Sequence, residues 1–200
     1  MVERETELKL WLSFESYSRL LEQLGEPLKV REFSNIYYVV DEQLSRRDWV
    51  LRLRCESGKR ELTLKIGKEV SPGVYDSLEY IEIVDTHDTA AWEQFEPLKI
   101  LRNEISTARV LVQGASKNKR LVFKPPINVG EEWELDQTSL PDGTSFCELE
   151  VEIAWRSEPE LEKAKKELSH WLSKNEIPFR ESEMTKYARF LKAVSSLDRV

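Results

Sequence analysis

The sequence alternates charged and apolar residues with a period of two in several separate stretches. Within most stretches the charges keep one sign. In "ETELK", Glu5, Glu7 and Lys9 alternate with Thr6 and Leu8, and Leu10 continues the apolar series. In "LRLR", Arg52 and Arg54 oppose Leu51 and Leu53. In "ELTLKI", Glu61, Thr63 and Lys65 oppose Leu62, Leu64 and Ile66. In "ELEVEI", Glu148, Glu150 and Glu152 oppose Leu149, Val151 and Ile153, and in "WELD" Asp136 lies opposite Leu135. A period of two is the repeat of a β-strand, whose side chains point alternately to opposite faces. Each stretch is then a strand with one face fit for a core and one carrying charge. Glu5 and Glu7 share a face roughly 7 Å apart.

One such strand is the pattern of an ordinary sheet with a wet face. The set says more. The end strands carry carboxylates in i, i+2 pairs, whereas the middle strands carry arginine and lysine. Clustered carboxylates raise one another's pKa unless positive charge sits among them. All-oxygen ligands suit Mg²⁺ or Mn²⁺, and facing arginines and lysines suit a polyanion, because phosphate takes charge-assisted hydrogen bonds. A sheet that curls closed places those faces around a polar interior and turns its apolar faces outward, toward covering helices. The sequence therefore predicts a barrel with its polar side inside.

The remaining segments fit that frame. "SFESYSRLLEQLG" predicts a helix capped by Ser13 and stopped at Gly25. Strand signals follow at "SNIYYVV", "WVLRLRCES", "RELTLKIG" and "SLEYIEIVD". "DTAAWEQFEPLKILRNE" predicts a helix broken at Pro97. "TARVLVQG", "KRLVFK", "EEWELDQ" and "SFCELEVEIAW" predict further strands. Ser157 and Glu160 have capping-box spacing before a helix with a stripe of Leu161, Ala164, Leu168 and Leu172, and a last helix spans "SEMTKYARFLKAVSSL". Strands outnumber helices and are joined by short turns, an α+β arrangement built on an antiparallel sheet.

The 200 residues fit one domain, 1–200. A net charge of −7 argues against broad nucleic-acid binding, which depends on neutralising phosphates. No apolar run approaches the ~18 residues of a membrane span, and "MVERETELK" lacks the layout of a signal peptide. The expectation is a cytoplasmic protein, with Cys55 and Cys147 as buried thiols. No G-x-x-x-x-G-K-[ST] or G-x-S-x-G motif occurs, and His87 and His170, in a polar turn and on a helix, read as surface or packing residues.

"ETELK" resembles the ExExK signature of the CYTH superfamily, the triphosphate tunnel metalloenzymes. "LRLR" is similar to the family's paired arginines, "LTLK" to its next lysine, "LEYIEI" to an acidic strand and "TARVLV" to an arginine strand. "ELD", "ELEVE" and "EMTKYARF" complete an ordered set from Glu5 to about Phe190. The resemblance implies a closed tunnel of eight antiparallel strands with flanking helices. It is nearest to the small single-domain bacterial and plant members, some of which hydrolyse tripolyphosphate. Carried over by position, Glu5, Glu7, Asp136, Glu148 and Glu150 would hold Mg²⁺ or Mn²⁺, with Glu79 a further acidic member for which Glu82 competes from the opposite strand face. Lys9, Arg52, Arg54, Lys65, Arg109 and Lys186 would grip phosphates, with Arg102 a rival for Arg109. The family's Tyr-Phe-Asp-Thr is replaced by "YYVVD", which displaces Asp41.

The implied activity is metal-dependent hydrolysis of a small-molecule triphosphate, inorganic tripolyphosphate first. Hydrolysis of thiamine triphosphate, cyclisation of ATP and non-catalytic polyphosphate binding are the alternatives. Catalysis would draw on Glu5, Glu7 and Lys65, and Glu5, Glu7, Glu79 and Lys65 all remain conceivable as the general base. The expected protein is a monomer or homodimer that needs neither nucleic acid nor membrane.

Overall fold

The computed structural model describes residues 1–39, 49–104, 110–154 and 157–197. In chain order they form β1 (Val2–Leu12), α1 (Phe14–Leu24), β2 (Lys29–Val39), β3 (Trp49–Glu56), β4 (Lys59–Ser71) and β5 (Val74–Ile83). A 3₁₀ turn (Thr89–Gln94), α2 (Glu96–Glu104), β6 (Leu111–Phe123), β7 (Trp133–Ser139) and β8 (Ser145–Glu152) follow. The described chain ends with α3 (Glu158–Lys174), β9 (Arg180–Glu181) and α4 (Lys186–Leu197).

The strands run in the order β5-β4-β3-β2-β6-β7-β8-β1, and a further pairing of β5 with β1 closes them into an eight-stranded antiparallel barrel. The short β9 pairs with β1 at Leu10 and Trp11. Closure removes every sheet edge within the barrel, and the alternation fixes which face turns in. Glu5, Glu7 and Lys9 point inward; Leu8, Leu10 and Leu12 point outward into a core.

That outer core is split in two. On one side Leu8, Leu10, Trp133, Leu149 and Val151 pack beneath Leu20 of α1 and Leu161, Leu168 and Leu172 of α3. On the other, Leu51, Leu53, Leu62 and Leu64 pack beneath Trp92, Leu98 and Leu101 of the 3₁₀ turn and α2. Full burial of such side chains stabilises by about 1.5–3 kcal/mol each, which holds together a barrel whose interior is charged. Cys147 belongs to the first core and Cys55 packs, partly buried, against the second.

Several local expectations meet the structure unchanged. The Ser13 hydroxyl accepts the Ser16 N–H at 3.0 Å, and Gly25, at φ 74°, ends α1. Others need correction. The segment 88–104 is two elements: its break falls at Phe95, and Pro97 sits in the first turn of α2, where its missing N–H costs no hydrogen bond. "TARVLVQG" and "KRLVFK" contribute to one strand, because β6 pairs with β2 from Lys29 to Val39 and carries the turn-like "GASKN" through. Ser157 caps α3 without a side-chain bond. Pro159 supplies no N–H, and the Glu160 N–H bonds the Ser157 carbonyl at 3.1 Å, so no capping box forms at the hydroxyl.

α4 packs across one end of the barrel. Phe190 lies 4.5 Å from the Tyr37 ring and Tyr187 5.2 Å from it, centroid to centroid. β6 bulges there opposite Tyr37 and Tyr38 at Gly114, whose φ of 148° and close approach to Phe190, 3.0 Å from a Cβ position, leave no room for a side chain.

Candidate active site

The interior is a cavity of about 520 Å³ walled by side chains from the eight barrel strands and α4. Two carboxylate groups meet along the paired strands β1 and β8, and of the second group Glu150 lines the cavity while Asp136 and Glu148 are fully buried beside it. β1 supplies Glu5 and Glu7, and β5 supplies Glu79, set opposite Lys65 of β4 in the strand register. Lys65 Nζ lies 2.7 Å from Glu5, 2.5 Å from Glu79 and 3.5 Å from Glu7. Glu82, opposite Leu62, stands on the other strand face, so the register settles that choice for Glu79. β7 and β8 supply the second group, Asp136, Glu148 and Glu150. Lys186 reaches in from α4 to ion-pair Asp136, and Glu150 at 2.8 Å. Lys9 spans the two groups, 2.6 Å from Glu7 and 2.8 Å from Glu150.

Arg120 of β6 is a tunnel cation that the sequence reading missed. It ion-pairs Asp136 at 2.7 Å, Glu150 at 2.6 Å, and Glu134. Its neighbours Lys117 and Lys119 put charge on the other face as well, which hides the alternation. The signal lies in "RLVF", where Arg120 is out of phase with outward Leu121 and Phe123. Glu134 was missed too, although it completes an i, i+2 pair with Asp136 of the kind that marks β1 and β8. Arg109 and Asp41 lie outside the described residues. Arg102 pairs with Glu93 on the surface of α2, His87 accepts from Arg60 Nε in the turn after β5, and His170 is exposed on α3.

The two groups titrate differently. Burial, and then Glu7, push Glu5 up to about 8. Against burial, Lys65 and Lys9 hold Glu7 below its ordinary range, and Arg52 and Lys65 do the same for Glu79. In the second group Arg120 and Lys186 overcome burial to hold Asp136 down, and Lys186, Lys9 and Arg120 hold Glu150 down. Glu148 is pushed up by burial, although Ser182 Oγ donates to it at 2.8 Å.

Arg52 and Arg54 line the cavity from β3, beside the Lys65 group. Arg52 lies 3.3 Å from Glu79. Arg54 forms no ion pair among the described residues; its Nε donates to Asn35 Oδ1 at 3.3 Å. Burial, then Arg52 and Arg120, push the Arg54 guanidinium down to about 10. A buried cation next to other cations creates demand for an anion.

The acids provide the matching demand for a cation. Among the described residues, buried Glu7 Oε2, Glu79 Oε1 and Glu148 Oε2 have no hydrogen-bond partner, although lysines stand within ion-pair distance of all three. Among the described residues, no three His, Cys, Asp or Glu side chains converge into a ready-made metal cage, since Lys9, Lys65 and Lys186 stand between the carboxylates. The donor set is all carboxylate oxygen, which fits a hard divalent cation and not a soft one.

Comparison with known proteins agrees with this geometry. The family model of the CYTH domain matches residues 3–190. No curated protein sequence matches the chain. Among solved structures, HpAC1 from Hippeastrum, a proposed adenylyl cyclase described as having a dominant triphosphatase activity, is 27% identical, with a TM-score of 0.80 over 94% of this chain and 95% of that one. A proposed adenylate cyclase from Bacillus halodurans is 24% identical, with a TM-score of 0.70 over 94% and 98%. The PH1819 protein of Pyrococcus horikoshii is 18% identical, with a TM-score of 0.63 over 94% and 98%. The last two share the fold.

Proposed function

The chain belongs to the CYTH family, and from that premise we propose that it is a Mg²⁺- or Mn²⁺-dependent triphosphatase whose substrate is inorganic tripolyphosphate, held in the tunnel. The observation that carries this reading is the half-buried Arg54, beside Arg52 and Arg120 and without an ion pair among the described residues, in one cavity with Glu7 and Glu79, each of which has an oxygen with no hydrogen-bond partner among those residues. One wall asks for an anion and the other for a cation, as a metal-loaded polyphosphate would supply. The triphosphatase activity described for HpAC1 supports the same class of reaction.

The tunnel's aromatic rings favour an inorganic chain over a nucleotide or thiamine ester. Phe33 is surrounded by guanidinium groups. Tyr37 packs on Tyr187 and Phe190, and Tyr75 lies under Lys9 with its hydroxyl bonded to the Ser182 carbonyl at 2.8 Å. Each of these rings already has a partner where a base would have to stack.

Glu5, Glu7, Glu79 and Glu150, which line the cavity, would hold the metal, and Asp136 and Glu148, fully buried beside Glu150, would support them. When bound, a divalent cation neutralises charge on the phosphoryl oxygens. Arg52, Arg54, Lys9, Lys65 and Lys186 grip phosphate, and Arg120 backs them from the second acidic group. Water attacks the terminal phosphorus, the P–O–P bond breaks, and pyrophosphate leaves into the basic wall. The water's proton passes to a carboxylate of the Lys65 group; Glu5, pushed up to about 8 in the metal-free tunnel, accepts it only in its ionised form, which a bound cation would favour. Lys65, held charged by Glu7 and Glu79 despite burial, keeps the three acids in place. Arg109 is assigned to the same basic set from its sequence position.

The test is phosphate release from tripolyphosphate, thiamine triphosphate and ATP with Mg²⁺, with Mn²⁺ and with chelator, cyclic AMP being measured alongside. Metal-dependent release, fastest with tripolyphosphate, is expected. Full activity in chelator with metal verified absent, or cyclic AMP as the main product, would overturn the reading.

A further inference from the structure

Phe33, on the inner face of β2, is an apolar ring in the most highly charged part of the molecule. The guanidinium carbons of Arg54, Arg31 and Arg120 lie 4.5, 5.5 and 5.7 Å from its centroid. The three arginines differ in what else they hold. Arg31 makes two hydrogen bonds to Glu56, at 2.9 and 2.6 Å. Arg120 is engaged by Asp136, Glu134 and Glu150. Among the described residues Arg54 has neutral partners alone, the Asn35 amide and the phenyl ring. Its cross-strand neighbour is nevertheless an acid, because Arg54 pairs with Glu61 in the β3–β4 register, and Glu61 also lines the tunnel. Glu61 Oε1 is occupied by the Thr63 hydroxyl at 3.4 Å, a weak contact for a carboxylate so close to an arginine.

We infer that Phe33 is a positioning residue: its ring holds the Arg54 guanidinium over the cavity and away from Glu61, so that the full charge of Arg54 is available to a phosphate group. A cation is attracted to the face of an aromatic ring without being neutralised by it. An ion pair with Glu61 would also order Arg54, but substrate would then have to break that pair before binding. The phenyl ring orders the arginine and leaves it unspent, and such preorganisation raises affinity by removing a cost of binding. The inference deepens the triphosphate reading of this site and rests on it.

The experiment measures tripolyphosphate binding in chelator, where nothing turns over, by calorimetry on the full chain and its Phe33 variants. Phe33→Leu keeps an apolar side chain and removes the π face; the dissociation constant is expected to rise roughly 10- to 100-fold, the effect of a desolvated cation–π contact. Phe33→Tyr should stay within a few-fold of the parent. Adding Glu61→Gln to Phe33→Leu removes the competing acid and should restore most of the lost affinity, which a purely structural role of Phe33 would not allow. In turnover with metal, KM should rise by more than kcat falls. In the parent without ligand, the Arg54 Nε–H proton signal, assigned through Arg54→Lys, should lie upfield from the ring current of Phe33. An unshifted signal overturns the proposal even if Phe33→Leu fails to fold. So does unchanged affinity in Phe33→Leu, or loss that Glu61→Gln does not recover, or a parent that binds no phosphate, pyrophosphate or tripolyphosphate. A parent that binds tripolyphosphate but does not hydrolyse it overturns the triphosphatase reading and leaves this one standing.

Discussion

The two acidic groups of the tunnel arise from the same alternation of charge and leucine and end in different electrostatic states. Around Lys65 the cluster is half open: the side chains of Glu5 and Lys65 are 27% and 21% exposed. One carboxyl there, Glu5, is pushed up to about 8 by burial and by Glu7. Around Arg120 and Lys186 the cluster is closed, with Asp136 and Glu148 fully buried. There the cations come from two further elements, β6 and α4, and they hold Asp136 and Glu150 firmly ionised. The closed group is a framework that folding has already neutralised, apart from Glu148. In the open group Glu5, pushed up to about 8, holds a proton near neutral pH that a cation brought beside it would displace. A charged lining can therefore serve stability at one wall and function at the other.

Removing a cation from each group tests that contrast most severely. Arg120→Met leaves Asp136, Glu134 and Glu150 to Lys186 and Lys9 in a closed site, and should cost about 3–5 kcal/mol in urea unfolding without metal. Lys65→Met, in the half-open site, should cost clearly less, because Glu5 can take up a proton and water reaches the group. Equal losses would erase the distinction between framework and working wall.

A smaller effect on the fold, with a large one on chemistry, is expected from Glu7→Gln. Lys9 keeps Glu150 and Lys65 keeps Glu5 and Glu79, so the fold should survive with a modest loss of stability near neutral pH, because a carboxylate held below its ordinary range stabilises the fold while ionised. Tripolyphosphate turnover should fall by about 10²–10³-fold, the scale of losing one group that acts on transition-state charge. Turnover unchanged at saturating metal would make the β1 acids a charged strand and nothing more.

The smallest effect belongs to the tunnel rim, where Arg31 holds Glu56 below the ordinary range through paired hydrogen bonds. A depressed carboxylate stabilises the fold above its unfolded value, about pH 4.3, and loses that contribution as pH falls through its lower folded value. Glu56→Gln should flatten this part of the stability–pH curve by less than ~1 kcal/mol, since the pair is partly solvated. A larger change would mean that the rim is coupled to the closed group.

Much of this was legible in the chain. Alternation in β1, β3, β4 and β8 fixed the inward residues Glu5, Glu7, Lys9, Arg52, Arg54, Lys65, Glu148 and Glu150, because a strand's period of two leaves no third option once one face is apolar. Glu79 was different. Both it and Glu82 sit in a strand with polar and apolar groups on each face, and only the pairing of Lys65 with Glu79 across β4 and β5 shows which acid meets the lysine. Arg120 needed the barrel to close. Its strand carries lysines on the outer face, so its role follows from lying opposite Asp136 on β7. The contact between Arg54 and Phe33 joins β3 to β2, and the reach of Lys186 joins α4 to β7 and β8. Which side chains face inward follows from local periodicity and the burial of leucines, both written in the chain. Which acid meets which base, and so which charges are spent and which remain for a ligand, depends on register, closure and the docking of α4, which bring together residues far apart in the chain.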